Sequence, residues 1–525
     1  MTTPTTTTTT AQNASLVQTR IWSAYQLSVF RDVAEGRGHT FVSAVAGSGK
    51  STTMEEGLTH IPQGKQVMVC AFNKEIATAF TSRLARTKSR LQPGVRVEAS
   101  TLHSYGFRQI KRAYGTVELN ADKSWMILDE LLSGERIAKE LSATLVKCTS
   151  LAKSTLANTK AAVDDLIDTF ELDMGEDVQD DDDAYLARRE WFVALVLRML
   201  ARAAEITGVV DFDDMIWLPV KLNLRVWQFD RIFVDEVQDL NPCQIELVIR
   251  ACKRDGRILA VGDENQAIYA FRGADENAVK TLVSRVNAKT LLLSVSYRCP
   301  KSVVLAAQYL VPHLEYAPNA NDGSVTAVTT DYMLAHVAEG DFVLSRSNAP
   351  LVGACLKLLS EGRRAMIAGK DIGKSLVSLV RRAKTNDVGE LLTWIEKWSE
   401  REVLHLQASD RPKESQIQTV QDKAATILAL CEGAQSTNEV MAKIEGLFSD
   451  DVKAEEKVVF STTHKAKGLE RKNVWLLRDT YLRRQSQEES NLLYVAMTRA
   501  MENLYMAYDK RDAAQHAVDV WELES

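Results

Sequence analysis

The chain has 525 residues, of which 45% are hydrophobic and 26% are charged. It is therefore too long for one ordinary core, and its composition indicates a globular protein of about three or four domains, not a collagen-like, wholly disordered or disulfide-rich chain. The 64 Lys and Arg residues against 70 Asp and Glu residues give a net charge of −6, so any polyanionic partner must meet a local basic groove.

The sequence shows no pattern typical of a membrane span, a signal peptide or a paired-cysteine motif. No uncharged apolar run approaches the roughly 20 residues that cross a bilayer, and the N-terminus lacks the basic-then-apolar order of a signal peptide. The seven cysteines are scattered without a CxxC pair, which favours reduced thiols over a zinc site or a disulfide framework. We expect a cytoplasmic protein that makes no contact with membranes.

The predicted elements alternate along the chain. Residues 1–14 are mostly Thr and predict a disordered tail. An apolar run at 41–44 then leads through a glycine-containing loop into a helix-compatible stretch at 52–58. Further strands are predicted at 67–71, 231–234, 258–261, 342–345, 458–461, 474–477 and 504–507. This order predicts an α/β fold with parallel sheets, and two lobes fit better than one.

Two stretches lack strand signals and are predicted to be helical insertions, at 124–206 and 371–456. An acidic run at 173–183 interrupts the first stretch; we interpret it as a solvated loop, with a partner-binding segment as the alternative. Trp394 and Trp398 lie one helical turn apart in the second stretch. They are interpreted as core residues, with a base-stacking platform as the alternative.

Residues 44–51 read Ala-Val-Ala-Gly-Ser-Gly-Lys-Ser, which fits the P-loop pattern except that Ala replaces the first Gly. Small residues let consecutive backbone N–H groups surround an anion, and the following helix adds the positive end of its dipole. Lys50 is expected to neutralise the β- and γ-phosphates, and Ser51 to bind Mg²⁺. The predicted nucleotide-binding residues of this loop are Ala46, Gly47, Ser48, Gly49, Lys50, Ser51 and Thr52.

A pair of carboxylates follows the predicted strand at 231–234. We expect Asp235 to bind Mg²⁺ and Glu236 to orient or deprotonate the attacking water. An acidic turn would explain Asp-Glu alone, but beside a P-loop the pair indicates a site that hydrolyses a nucleoside triphosphate with Mg²⁺.

Four more motifs follow in order. They are the segment 262–274 (Gly-Asp-Glu-Asn-Gln-Ala-Ile-Tyr-Ala-Phe-Arg-Gly-Ala), Tyr297-Arg298, the segment 463–470 (Thr-His-Lys-Ala-Lys-Gly-Leu-Glu) and the segment 493–500 (Leu-Tyr-Val-Ala-Met-Thr-Arg-Ala). With these motifs the chain resembles a superfamily 1 helicase of the UvrD/Rep type over nearly its whole length. The resemblance implies two RecA-like parallel-sheet lobes, each with a mainly helical insertion: a first lobe at 15–110 and 207–287 around an insertion at 111–206, and a second lobe at 288–370 and 457–525 around an insertion at 371–456.

The resemblance also implies roles on the base and ribose side of the nucleotide. Gln26 would contact the adenine edge, which suits an amide that both donates and accepts hydrogen bonds. Tyr297 would stack on the adenine ring. Glu470 would contact the ribose.

Three further roles implied by the resemblance concern the γ-phosphate. Gln266 would sense this phosphate and the attacking water. Arg298 and Arg499 would reach it from the second lobe when the lobes close, as arginine fingers of the kind that contribute roughly 10³–10⁵ in rate.

A nucleic-acid groove would need aromatic faces for bases and cations for phosphates, and bases stack on aromatic rings for about 1–3 kcal/mol each. Taken singly, each candidate suits a core or surface position; the motif context favours Phe72, Phe271 and His464 as ligands. Phe271 stands where the family commonly has Trp, so we expect a weaker grip there. The DNA-binding candidates by motif position are Phe72, Asn73, Lys74, Thr101, His103, Tyr269, Phe271, Arg272, Arg346, Asn348, His464 and Lys467.

The resemblance implies an ATP-dependent helicase that moves 3′ to 5′ as a monomer on single-stranded DNA and at junctions of single- and double-stranded DNA, with replication or repair proteins as partners. The insertion at 371–456 is shorter than in full-size UvrD or Rep and resembles compact phage-encoded or Fbh1-like members. Two alternatives stay open: a single-strand translocase that strips bound proteins, and an ATP-dependent switch or scaffold.

Overall fold

The computed structural model describes residues 21–71, 74–133, 139–170, 182–268, 278–408, 414–449, 456–481 and 486–509, together with positions 137 and 172. The Thr-rich tail at 1–14 and most of the acidic run at 173–183 lie outside the described residues. In the described part of the chain, helices and strands alternate as predicted, and each half contains one large parallel sheet.

The first half supplies a six-stranded sheet. Its elements are α1 (Ala24–Glu35), β1 (Thr40–Ala44), α2 (Lys50–Thr59), β2 (Gln66–Ala71), α3 (Lys74–Thr87), β3 (Arg96–Thr101), α4 (Leu102–Tyr114), β4 (Glu118–Leu119), α5 (Lys123–Leu132), α6 (Lys139–Thr155), α7 (Lys160–Thr169), α8 (Asp182–Glu205), β5 (Val209–Val210), α9 (Asp214–Lys221), β6 (Phe229–Val234), α10 (Pro242–Ala251), β7 (Cys252–Gly262), α11 (Ala278–Val286) and β8 (Lys289–Leu293). The sheet order is β3-β2-β6-β7-β1-β8, with every pair parallel. This sheet and the helices on it are the first lobe.

Helices cover both faces of this sheet. Phe41 of β1 belongs to the core on one face, together with residues of the helical insertion, and its neighbour Val42 belongs to the core on the other face under α1 and α2. Successive side chains of a strand point to opposite faces, so a strand covered on both sides is apolar throughout. That explains why the central strands β1, β2, β6 and β7 were found as continuous apolar runs.

The predicted boundary between the lobes needs a correction. Residues from 288 onward were assigned to the second lobe, but β8 pairs in parallel with β1 from Thr40–Lys289 to Ala44–Leu293. The first lobe therefore reaches at least to residue 293. Strands β3 and β8, which lie at the two edges of the sheet and are partly exposed, were not predicted. Polar residues interrupt the apolar pattern of β3, and the apolar run of β8 is only three leucines long.

The second half supplies a seven-stranded sheet. Its elements are β9 (Val295–Ser296), α12 (Lys301–Ala307), β10 (Glu315–Tyr316), β11 (Ser324–Thr329), α13 (Thr330–His336), β12 (Phe342–Ser345), α14 (Ala349–Ser360), β13 (Ala365–Ala368), α15 (Lys370–Arg382), α16 (Val388–Ala408), α17 (Glu414–Cys431), α18 (Thr437–Leu447), β14 (Phe448–Ser449), β15 (Val458–Thr462), α19 (Thr463–Ala466), β16 (Arg471–Leu477), α20 (Gln487–Met497) and β17 (Ala500–Tyr508). The sheet order is β11-β17-β16-β12-β15-β13-β14, again all parallel. This sheet and its helices are the second lobe.

Both predicted insertions are helical in the described residues. The first contains α5 to α8, whose core is continuous with that of the first lobe. The second contains α15 to α18 and ends in the short strand β14, which the sequence did not predict. Trp398 is buried in the core of this second insertion and Trp394 packs against it, which confirms the interpretation of the pair as core residues. No described helix combines the length and the apolarity needed to cross a bilayer.

Buried charges join the first insertion to the first lobe. Lys123 donates to Asp214 at 2.6 Å, and Lys153 lies 2.7 Å from Asp211 and 2.8 Å from Asp214. All four side chains are at least nine-tenths buried. Since removing one member of a buried ion pair leaves an uncompensated charge, these four residues depend on one another.

We predict that Asp214→Ala lowers the free energy of unfolding by about 3–5 kcal/mol, because it leaves two buried ammonium groups with one carboxylate. Urea denaturation followed by circular dichroism measures the change. Asp164→Ala is the matched control: its carboxylate pairs with Arg189 but is 44% exposed, so its removal should change stability by at most about 1 kcal/mol. Equal losses in the two variants would contradict the assigned role of the buried cluster.

Candidate nucleotide site and nucleic-acid groove

The predicted P-loop connects β1 to α2 at the carboxyl edge of the first sheet. Gly47 and Gly49 have φ angles of 73° and 77°, a conformation that glycine adopts without steric penalty. A Cβ atom on Gly47 would lie 2.6 Å from Cβ of Arg298 and 2.7 Å from Oγ of Ser296. Position 47 therefore requires glycine for two reasons: its backbone conformation and the close approach of a segment from the second half of the chain.

The side chains of the loop fit a bound polyphosphate. Ser48 has a buried Oγ without a hydrogen-bond partner among the described residues. Ser51 and Thr52 lie half-buried in the first turn of α2. Lys50 begins this helix, and its Nζ donates to Oε2 of Glu236 at 2.9 Å.

Three carboxylates surround Lys50. Asp235 and Glu236 follow β6 and Asp263 follows β7, so the parallel strands deliver all three to the edge that carries the P-loop. Burial, and then the adjacent charge of Glu236, raise the pKa of Asp235, and burial also raises the pKa of Asp263. Burial opposes ionisation of Glu236 as well, but Lys50 and Lys467 outweigh it and lower the pKa of that carboxyl.

Lys50 faces three carboxylates, of which Asp235 and Asp263 are buried, while the nearby Lys467 is paired with Asp239. The remaining excess of negative charge fits a divalent cation. The described residues contain no group of three His, Cys, Asp or Glu side chains arranged as metal ligands. That agrees with the way Mg²⁺ is usually held, by one or two carboxylates with phosphates and water completing its octahedron. Ser51 and Asp235 stay the predicted protein ligands of Mg²⁺.

Glu236 has a left-handed backbone conformation with φ of 50°, which costs a non-glycine residue roughly 1–3 kcal/mol. The backbone N–H of Glu236 donates to Oδ1 of Asp235 at 3.0 Å, and Gln238 donates to its carboxylate at 2.6 Å. These contacts hold the strained residue with its carboxylate beside Lys50. Strain of this kind is typical of positions whose geometry serves a function.

The residues predicted to bind adenine meet across the lobes. Gln26 is buried; its Nε2 donates to Oγ1 of Thr53 at 3.1 Å, and its Oε1 accepts from the backbone of Ser23 as part of the cap of α1. Tyr297 is 46% exposed, its hydroxyl lies 3.4 Å from Oε1 of Gln26, and its backbone N–H donates to the carbonyl of Gly47 at 2.9 Å. The structure thus brings Gln26, Tyr297 and the P-loop together.

The two predicted arginine fingers lie near this site. Arg298 forms an ion pair with Glu470, the residue expected at the ribose. Arg499 is fully buried and donates from Nε to the carbonyl of Val495 at 2.8 Å. Burial, and then the positive charge of Arg298, lower the pKa of Arg499 to about 10. The contacts of both arginines with the γ-phosphate stay predictions.

Lys467, whose contact with DNA stays a prediction, joins the two lobes in this structure. Its Nζ lies 2.8 Å from both carboxylate oxygens of Asp239 and 2.8 Å from the carbonyl oxygen of Gln266. Both partners belong to the first lobe, and the ion pair is nine-tenths buried or more. Gln266 in turn donates from Nε2 to Oδ2 of Asp263 at 2.6 Å. In this arrangement the ammonium of Lys467, a residue of the second lobe, binds Asp239 and Gln266 of the first lobe.

The sequence analysis assigned no role to Asp239, Asn491 or Tyr494, which all form contacts between the lobes. Asp239 pairs with Lys467, Asn491 donates to the carbonyl oxygen of Ala267 at 3.0 Å, and Tyr494 contacts the P-loop. Tyr494 stands inside the motif at 493–500, and Asp239 lies four residues after Asp235, which were the available signals. No pattern in the sequence marked Asn491.

The described DNA-binding candidates lie near the carboxyl edges of both sheets. In the first lobe, Thr101 caps α4, and burial lowers the pKa of the neighbouring His103. In the second lobe, Arg346 follows β12 and pairs with Glu489 at 2.8 Å, Asn348 donates to Asp422 of α17 at 3.0 Å, and His464 lies in α19. Phe72, Asn73, the side chain of Lys74, Tyr269, Phe271 and Arg272 lie outside the described residues.

Family models match both halves of the chain. The model of the UvrD/REP helicase N-terminal domain matches residues 28–286, and the model of the UvrD-like helicase C-terminal domain matches residues 457–507.

Curated relatives agree with the family models. The ATP-dependent DNA helicase Rep of Escherichia coli (strain K12) is 28% identical over 295 residues, which cover 53% of this chain and 42% of that protein. The ATP-dependent DNA helicase PcrA of Bacillus subtilis (strain 168) is 28% identical over 293 residues, covering 52% of this chain and 37% of that protein. F-box DNA helicase protein 1 of Schizosaccharomyces pombe is 25% identical over 516 residues, 89% of this chain and 55% of that protein. The chain thus spans less than two thirds of the length of these relatives.

We predict that Glu236→Gln retains ATP binding, because Lys50 and the P-loop are unchanged, but lowers kcat for ATP hydrolysis at least about 100-fold, because an amide cannot accept the proton of water. Steady-state ATPase assays and equilibrium nucleotide binding measure the two effects.

The control is Glu246→Gln, which alters a half-buried carboxylate of the same lobe that pairs with Arg250 and Arg285. It should retain the wild-type rate. Wild-type hydrolysis by Glu236→Gln would contradict the role given to Glu236.

Proposed function

Because the chain belongs to the UvrD/Rep family of superfamily 1 helicases, we propose that it is an ATP-dependent DNA helicase that moves 3′ to 5′ along single-stranded DNA and separates duplex ahead of it. The chain covers only part of its relatives, so this activity is proposed from its own residues and from the family together. The observation that carries the proposal is the contact of the P-loop with the second lobe, through Ser296 and Arg298 beside Gly47 and through Tyr494 beside Ala46.

A nucleotide site built by two lobes can convert occupancy into movement. Lys50 and the P-loop amides belong to the first lobe, while Tyr297, Arg298 and Arg499 belong to the second. If a polyphosphate attracts cations from both sides, its binding draws the lobes together, and loss of the γ-phosphate removes that attraction. The groove candidates near both sheets would then move relative to each other in every cycle.

The chemistry at the phosphates follows from the buried charges. The lowered pKa of Glu236 keeps this carboxylate ionised at neutral pH, so it can orient a water molecule or accept its proton. Lys50 and Gln238 hold its orientation. Bound Mg²⁺, with Ser51 and Asp235 as its proposed protein ligands, would supply charge neutralisation at the β- and γ-phosphates.

The proposed substrate is single-stranded DNA and its junctions with duplex. Polar side chains and the imidazole rings of His103 and His464, near the carboxyl edges of the two sheets, suit a strand that crosses both lobes, since bases stack on aromatic rings without sequence preference. Separation of duplex costs a mean of about 1.4 kcal/mol per base-pair step of DNA stacking. We further propose that the protein acts as a monomer in the cytoplasm, alongside replication or repair proteins.

Strand displacement on tailed duplexes tests the function. The protein is incubated with a duplex that carries a 3′ tail, a 5′ tail or no tail, each with and without Mg²⁺ and ATP. We expect ATP-dependent separation of the 3′-tailed duplex only, and none by Lys50→Ala, which lacks the charge that binds phosphates. Separation of the 5′-tailed duplex alone would contradict the direction.

A second assay separates the alternatives. Streptavidin is bound to the end of a biotinylated single strand, and its ATP-dependent release is followed. Release without strand separation would indicate a translocase that strips proteins, and ATP hydrolysis indifferent to added single-stranded DNA would indicate a switch or scaffold.

A further inference from the structure

Helix α20 of the second lobe holds the loop that follows β7 in the first lobe. This loop, residues 263–268, carries Gln266 and continues in sequence into the DNA-binding candidates at 269–272. The fully buried Tyr494 of α20 lies between the loop and the P-loop. Its hydroxyl accepts a hydrogen bond from the backbone N–H of Ala46 at 2.9 Å and lies 3.3 Å from Oδ2 of Asp263.

The polarity of these hydrogen bonds is determined by the available protons. A phenol has one proton, and because its oxygen accepts the N–H of Ala46, the proton is directed to Asp263. Burial raises the pKa of Tyr494, so the hydroxyl keeps its proton at neutral pH. The same Oδ2 atom of Asp263 accepts from Nε2 of Gln266 at 2.6 Å. One chain of hydrogen bonds therefore runs from the P-loop through Tyr494 and Asp263 to Gln266.

Two further contacts fix the backbone of the loop against α20. Asn491 donates from Nδ2 to the carbonyl oxygen of Ala267 at 3.0 Å. Ile268 is fully buried in a small apolar cluster with Leu492 and Val495. The loop belongs to the first lobe by sequence, but side-chain, backbone and apolar contacts attach it to the second.

We propose that Tyr494 is a positioning residue that orients Gln266 through Asp263 when the second lobe lies against the P-loop, and that it thereby couples lobe closure on DNA to ATP hydrolysis. The proposal rests on the proposed function and adds to it a residue that acts without contacting the phosphates. The ring of Tyr494 could be replaced by any packed aromatic ring. The coupling depends on the hydroxyl, which links Ala46 to Asp263.

Tyr494→Phe tests the proposal because it removes only this hydroxyl. We expect kcat with saturating single-stranded DNA to fall about tenfold, the effect of losing one or two buried hydrogen bonds. The basal rate without DNA and the KM for ATP should change less than about threefold, since neither depends on the coupled closure. The measurement is steady-state ATPase with and without oligonucleotide.

Tyr105→Phe is the matched control. Tyr105 is also fully buried, and its hydroxyl donates to the carbonyl of Trp227, but here both residues belong to the first lobe. Its stimulation by DNA should equal that of the wild type. Wild-type stimulation in Tyr494→Phe, or an equal loss of basal and stimulated rates, would overturn the proposal. A wild-type protein without any stimulation by DNA would contradict the proposed function instead.

A double-mutant cycle tests whether Tyr494 acts through Asp263. Asp263→Asn is combined with Tyr494→Phe. We expect the DNA-stimulated rate of the double variant to be no lower than that of the less active single variant. Losses that multiply would overturn the chain of hydrogen bonds.

Asn491→Asp is a second test of the proposal, which can be used if Tyr494→Phe does not fold. It replaces a donor by a carboxylate of the same size facing the carbonyl of Ala267. Reduced stimulation by DNA with an unchanged KM for ATP is expected, and wild-type stimulation would overturn the positioning of the loop by α20.

Discussion

The close contact between the P-loop and the second lobe is the constraint on which the rest of the site depends. Gly47 leaves no room for a side chain because Ser296 and Arg298 lie against it, and Tyr297 and Tyr494 bond to backbone groups of Gly47 and Ala46. The nucleotide loop of one sheet is therefore also a surface on which the other sheet docks. Because closely packed interiors resist small deformations, a displacement of the P-loop on nucleotide binding is transmitted to the second-lobe residues that pack against it.

The buried charges explain why the site stays ready for a polyphosphate. Lys50 faces Asp235, Glu236 and Asp263, and Lys467, which also acts on Glu236, is paired with Asp239, so negative charge stays in excess. Burial penalises every unbalanced charge. The raised pKa of Asp235 and the lowered pKa of Glu236 follow from that competition. A nucleotide with its cation brings charges of both signs into the cluster, so binding relieves an electrostatic imbalance that the fold has already built.

The sequence predicted the parts of this structure that depend on local pattern. Most central strands were found because both of their faces are covered, whereas polar residues interrupt the edge strands β3 and β11. Two strands with short apolar segments were also not predicted: β8 at the edge of the first sheet, and β13, which is buried inside the second sheet. Lys50, Asp235 and Glu236 were found because a P-loop and an acidic pair have fixed spacing. The pairing of Lys467 with Asp239 and the contacts of Asn491 and Tyr494 were not found, since they depend on how two separately folded lobes approach each other. Nothing in the local sequence of either lobe encodes that approach.

A crystal structure with Mg²⁺, a non-hydrolysable ATP analogue and a single-stranded oligonucleotide tests the central claim most directly. The account requires the γ-phosphate to lie within hydrogen-bonding distance of Lys50 from the first lobe and of Arg298 from the second, with Arg298 released from Glu470. An analogue held by the first lobe alone, with Arg298 still paired to Glu470, would contradict it.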